Sequence, residues 1–194
     1  NPRPGHADMA GVLKYGFKDA RYVLERASAR ETAVRVGIGA MCKILLAEFN
    51  IGISSRVLMI GGAKSEKMME ERIDGAIKSK DTLGGIFEVI IKGVTPGLGS
   101  CMHYDRRLDA SLAEAIVSIP AVKAVEIGNA IESSARPGSK VHDEIFYSKE
   151  KGIYRKTNNA GGIEGGMSNG EDIIVRGYMK PISTLMDGLN TINI

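Results

Sequence analysis

The stretch that most constrains this chain starts at Ser28-Ala29-Arg30-Glu31 and runs to about residue 49. Ser-x-x-Glu is a capping-box pattern, in which hydroxyl and carboxylate each satisfy a free backbone donor at a helix start. Beyond it Ala33, Val36, Ala40, Ile44 and Ala47 recur at three- and four-residue spacing, and Val34, Ile38, Met41 and Leu45 widen the stripe. The spacing predicts a core-facing helix, apolar on more than one side. Gly37 and Gly39 lie inside it, each costing about 1 kcal/mol relative to alanine, which implies close approach by a neighbouring backbone. The helix start offers unpaired N–H groups and the positive end of the macrodipole, and Arg30 adds a fixed charge. This suits a phosphate or another anion, and equally an ordinary capped helix with a solvent-facing arginine.

Elements of both kinds surround that helix. Asp8 can cap a first helix carrying Met9, Val12, Leu13 and Phe17, interrupted at Gly16. Residues 57–60 read as a buried strand closed by Gly61-Gly62, and 66–78 as an amphipathic helix. Residues 87–94 and 173–179 alternate as strands, 108–119 read as a helix, and 121–128 and 144–147 as further strands. No short repeat, low-complexity tract or convincing linker divides the chain, so residues 1–194 are expected to form one domain. Strands and helices in mixed order with short turns favour an α+β fold with mainly antiparallel sheets.

Composition narrows the function classes. The net charge of +3 and the 5% aromatic content, without tryptophan, argue against nucleic acid as a partner. No run of about 18 apolar residues suggests a membrane span, and no signal peptide is visible. Cys42 and Cys101 fit neither metal nor disulfide spacing; Cys42 reads as a small core residue, and the usage suits a reducing cytoplasm. The chain opens on Asn1-Pro2 and stops at Asn193-Ile194, as a piece of a longer protein would.

Several segments can carry chemistry. In Arg3-Pro4-Gly5-His6-Ala7-Asp8, a histidine on a constrained loop beside Arg and Asp can move protons near neutral pH; it also fits a surface histidine hydrogen-bonded to Asp8. His103 and His142 have no metal-ligand partner at useful spacing and read as structural or surface residues, and no metal site is expected. The glycine-rich stretch 158–170 is neither a P-loop nor a dinucleotide fingerprint. Its bare N–H groups permit approach to a flat ring or a phosphate, or simply make tight turns. Lys180-Pro181-Ile182-Ser183-Thr184 puts an ammonium and two hydroxyls on a stiff turn after a strand, a cradle for a phosphate or ring oxygen.

Taken together, six ordered stretches resemble the chorismate synthase family: residues 3–8, 25–32, 119–123, 125–128, 158–170 and 179–184. The resemblance implies helices sandwiched between mainly antiparallel β-sheets and a homotetramer. It implies conversion of 5-enolpyruvylshikimate 3-phosphate to chorismate by 1,4-anti elimination of phosphate, with reduced FMN required although there is no net redox change. It assigns a catalytic role to His6 and substrate contacts to Arg3 and Arg30. Flavin contacts fall on Ser28, Ala29 and Arg30, on Pro120 and Ala121, on Gly165, and on Lys180, Pro181, Ile182, Ser183 and Thr184. Family chains extend further at both ends, where a second catalytic histidine, an arginine-rich substrate segment and an Arg-Asp pair lie, so a catalytically incomplete flavin- or phosphate-binding fragment is the alternative. Pro120 and Ala124 depart from the usual family residues.

Overall fold

A computed structural model describes residues 1–27 and 29–193. The helices α1 (Asp8–Tyr15), α2 (Arg21–Arg26) and α3 (Ala29–Ala47) precede β1 (Gly52–Ile60), α4 (Glu66–Ser79) and β2 (Gly85–Lys92). Then follow α5 (Leu108–Val117), β3 (Val122–Ile127), the short α6 (Ala130–Ser133), the hairpins β4 (Ile145–Ser148)–β5 (Gly152–Arg155) and β6 (Ile163–Glu164)–β7 (Met167–Ser168), and β8 (Ile173–Met179). The fold is α+β, and the strand pairs are antiparallel.

The main sheet has the order β1-β2-β8-β3, so the last strand in sequence lies between two earlier ones. Alternation along β8 sends Ile173 and Val175, each 2% exposed, into the core. There they meet Val94 and Ile163, and Leu108, Leu112 and Ile116 of α5 pack on top. Gly177 continues the same face. A methyl group there would come within 2.3 Å of the Phe87 ring, so the glycine makes room for that side chain.

The opposite face of the sheet carries charge. Arg56, Glu88, Arg176 and Glu126 stand directly opposite one another on four adjacent strands. Glu88, 1% exposed, accepts from Arg56 Nε and Arg176 Nε, each at 2.8 Å. Arg176 Nη1 lies 3.4 Å from Glu126 Oε2, and the Tyr178 hydroxyl donates to that same oxygen. Opposite charges paired across strands stabilise the register as well as neutralising one another. Burial opposes ionisation of Glu126, but the bonds from Tyr178, from the Ile131 N–H and from Arg176 outweigh it and hold the carboxyl below its usual range. Burial and Glu126 together push the Tyr178 phenol up to about 12.

Several sequence expectations need correction. Helix α3 forms, but its stripe does not face a core within this chain: Val36, Met41 and Ile44 are 68%, 71% and 70% exposed. Periodicity reports that a helix has an apolar side, not what covers it. Among the described residues, nothing lies within 4 Å of a methyl group placed at Gly37 or Gly39, and Cys42 is exposed. Strand β1 starts at Gly52, well before the predicted residue 57, and as an edge strand it leaves Val57 exposed. Asp8 opens α1 without capping it, because its carboxylate turns back to Arg3 and His6. Ser28, and with it the capping box, lies outside the described residues.

Candidate functional site

The sheet order explains how distant segments meet. Met179 at the end of β8 pairs with Val122 at the start of β3, so residues 180–184 leave the sheet where residues 120–121 enter it. The Lys180 N–H donates to the Ala121 carbonyl at 2.9 Å. Ala121 holds φ at 70°, a left-handed conformation that costs a non-glycine residue about 1–3 kcal/mol. The strand is irregular just beyond it, between Val122 and Ala124. Strain and bulges concentrate where a fold aims groups at a site.

The N-terminal loop docks on that corner. Lys180 Nζ donates to the Gly5 carbonyl, and Arg3 Nη1 donates to Thr184 Oγ1 at 2.7 Å. The Thr82 hydroxyl braces the same loop through the Ile182 carbonyl, 2.7 Å away. Between these segments lies a cavity of about 510 Å³. Arg3, His6, Pro120, Ala121, Lys180, Ile182, Ser183 and Thr184 line it, with Ala7, Leu24, Ala27 and Thr32 adding apolar surface and a hydroxyl.

Within the loop, Arg3, His6 and Asp8 form a closed cluster. Asp8, 3% exposed, accepts from the Arg3 N–H at 3.0 Å and from Arg3 Nε at 2.9 Å. Its other oxygen is 2.6 Å from His6 Nδ1. Arg3 Nη2 lies 3.1 Å from His6 Nδ1 and 3.3 Å from Nε2, so the guanidinium is in contact with the imidazole. Burial would raise the Asp8 carboxyl, but the bonds from Arg3 and His6 and the attraction of His6 prevail and bring it down to about 2.

The structure thus brings together His6, Arg3, Pro120, Ala121, Lys180, Ile182, Ser183 and Thr184. Pro181 belongs to the loop but does not line the cavity; it packs where a side chain at Gly84 would otherwise sit. Ser28 and the side chains of Ala29 and Arg30 fall outside the described residues, although the flanking Ala27 and Thr32 border the cavity. Gly165 is not brought in. It is exposed near Cys101, on a different part of the surface.

The glycine-rich stretch around Gly165 is built for backbone packing. Asp143 holds it by accepting from Thr157 Oγ1 at 2.6 Å and from the Asn159 and Ala160 N–H groups, each at 2.9 Å. Burial opposes the Asp143 charge, and these bonds lower its carboxyl all the same. Gly128 and Gly161 meet so closely that a methyl group on Gly128 would sit 2.2 Å from the Asn159 carbonyl oxygen.

His103 and His142 are exposed. Among the described residues no cluster of His, Cys, Asp or Glu is arranged to hold a metal ion, and no helix is long and apolar enough to cross a membrane. Sequence reasoning missed Leu24, which carries no local signal, and Thr32, which closes the family-like stretch 25–32 without being singled out. The strained backbone of Ala121 is equally silent, because alanine does not advertise a positive φ.

Comparison with known proteins gives one answer. A family model described as chorismate synthase matches residues 1–194. The chorismate synthase of Thermoanaerobacter pseudethanolicus is 56% identical over 193 residues, covering 100% of this chain and 55% of the relative. That of Caldanaerobacter subterraneus is 55% identical with the same coverage. A crystal structure of chorismate synthase superposes with a TM-score of 0.87 at 43% identity, over 91% of this chain and 62% of that one. The chain spans about half the length of the curated relatives it matches.

Proposed function

The chain belongs to the chorismate synthase family, and from that premise we propose that it is part of an enzyme converting 5-enolpyruvylshikimate 3-phosphate to chorismate by 1,4-anti elimination of phosphate. The observation that carries the reading is the meeting of residues 3–8, 120–121 and 180–184 around one cavity, although they lie at the two ends and the middle of the chain.

The lining fits reduced FMN. Leu24, Ala27, Pro120 and Ile182 offer an apolar wall to a flat ring, and the Ala121 backbone brings that wall close without a bulky side chain. Lys180, Ser183 and Thr184 supply an ammonium and two hydroxyls for an anionic tail or ring oxygens. When bound, the reduced flavin supplies electron density that assists loss of phosphate without net oxidation. The chain's own groups do the rest. His6 holds or moves a proton at the cavity wall. Arg3 places a fixed positive charge on the cavity wall, where it favours anionic oxygens, and the family resemblance assigns Arg30 the same task. The family resemblance assigns Ser28 and Ala29 to the flavin contacts as well.

We read residues 1–194 as one domain of a cytoplasmic homotetramer whose ligand is a small phosphorylated molecule. The test is anaerobic assay of the full-length protein for phosphate release from 5-enolpyruvylshikimate 3-phosphate with reduced FMN. Turnover that His6→Ala abolishes supports the reading; absence of turnover in the unmodified protein refutes it.

A further inference from the structure

We propose that Asp8 is the positioning residue for His6: its carboxylate fixes the imidazole with the proton on Nδ1 and leaves Nε2 as the nitrogen that exchanges a proton with the ligand. The inference rests on the flavin-site reading above for what His6 does, but not for how His6 is held.

Three observations carry it. Asp8 Oδ1 lies 2.6 Å from His6 Nδ1, a distance at which a carboxylate, which can only accept, requires a proton on that nitrogen. The carboxylate cannot swing away, because its second oxygen is held by the Arg3 N–H at 3.0 Å and by Arg3 Nε at 2.9 Å, and the side chain is 4% exposed. The loop that presents the imidazole is itself anchored. Gly5 takes φ of 76° to turn the chain, and the carbonyl of that glycine receives Lys180 Nζ. An imidazole on its own can carry its proton on either nitrogen, and the hydrogen bond made by one nitrogen decides the state of the other. Here the carboxylate acts on Nδ1, and Arg3 Nη2, which can only donate, lies 3.3 Å from Nε2 and so favours an unprotonated Nε2.

Arg3 has a different role from that of a free anion clamp. Its Nε serves Asp8, its Nη1 serves Thr184, and its Nη2 lies against the His6 ring nitrogens. It therefore holds the group that holds His6, and it ties that unit to the 180–184 loop. Asp8 does not line the cavity; it acts through the histidine.

The direct test is nitrogen NMR of the full-length protein labelled with 15N-histidine, with the His6 signals identified by their loss in His6→Ala. The neutral ring is expected to show the Nδ1–H pattern, which becomes mixed or Nε2–H in Asp8→Asn. In the turnover assay Asp8→Asn should lower kcat at least about tenfold, within the range general acid–base groups supply, with KM and FMN affinity changed by less than about twofold. An Nε2–H ring in the unmodified protein overturns the proposal whether or not any variant folds. An unchanged kcat in folded Asp8→Asn overturns it as well. An Nδ1–H ring together with full activity of His6→Ala would leave Asp8 holding the imidazole but refute the catalytic reading of that imidazole, so the two failures are distinguishable.

Discussion

Arg3 Nη1 reaches Thr184 Oγ1 at 2.7 Å across 181 positions of sequence, and this bond closes the two ends of the chain over one cavity. Its reach depends on β8 lying inside the sheet, which delivers residues 180–184 to the corner where the N-terminal loop sits.

Thr184→Val should therefore loosen the contact between the 3–8 and 180–184 loops while leaving the sheet intact. The bond is exposed, so the loss in stability is expected to be about 0.5–1 kcal/mol. Ligand affinity should fall by about fivefold, which corresponds to about 1 kcal/mol. Thr184→Ser, which keeps the acceptor, should behave like the parent. Isothermal titration of FMN and chemical denaturation of the three proteins check both figures.

Acid should find Asp8. Its carboxyl is brought from an ordinary value of 3.8 down to about 2 in the folded chain. The stabilisation is fully present above pH 3.8 and is lost as the pH falls through about 2; at neutral pH it amounts to about 2 kcal/mol. Asp8→Asn removes that linkage, so the stability gap between parent and variant should be widest above pH 4 and narrow toward pH 2. Denaturation curves at closely spaced pH values between 2 and 6 measure it.

Glu88 is the hinge of the charged row. Glu88→Ala takes from Arg176 the nearer of its two carboxylate partners on a largely buried face and leaves only Glu126 at 3.4 Å, so a loss of about 3 kcal/mol is expected. Replacing Glu88 and Arg176 together with Gln and Met should recover part of that loss, because the half-buried guanidinium goes with its carboxylate, while Glu126 keeps the Tyr178 hydroxyl and the Ile131 N–H and Arg56 is exposed to water. A double-mutant cycle by denaturant unfolding gives the coupling.

Gly128 and Gly152 separate crowding from backbone preference. Both have positive φ, 60° and 67°, but only Gly128 faces a neighbouring backbone, and nothing lies within 4 Å of a methyl group at Gly152. Gly152→Ala should cost about 1 kcal/mol for its conformation alone. Gly128→Ala should cost more than about 3 kcal/mol or prevent folding, because the loop held by Asp143 would have to move. Thermal melting of the two variants compares them.

The sequence made some of this legible and hid the rest for identifiable reasons. β8 is found at the predicted residues because one face of it is fully buried and the alternation is unbroken. Residues 66–78 were readable as a helix because polar and apolar side chains keep to separate faces at helical spacing, although no residue of it is buried. The start of β1 was not, because Ser54 and Ser55 on an exposed edge strand look like a loop. β5 follows a lysine-rich turn and is too short to show a period. The row Arg56–Glu88–Arg176–Glu126 depends on register between strands, and spacing along one strand contains no such information. Within the site, residues 3–8 and 180–184 announced themselves by composition and Pro120 and Ala121 through the family resemblance, whereas Leu24 joins the cavity only through tertiary placement.

The central claim is that residues 3–8, 120–121 and 180–184 enclose one flavin. A crystal structure of the full-length protein with FMN and substrate measures it directly. The account predicts the isoalloxazine ring within about 4 Å of His6, Ala121 and the 180–184 loop, the separation of groups in contact. A flavin bound elsewhere, with this cavity open to water, would contradict it.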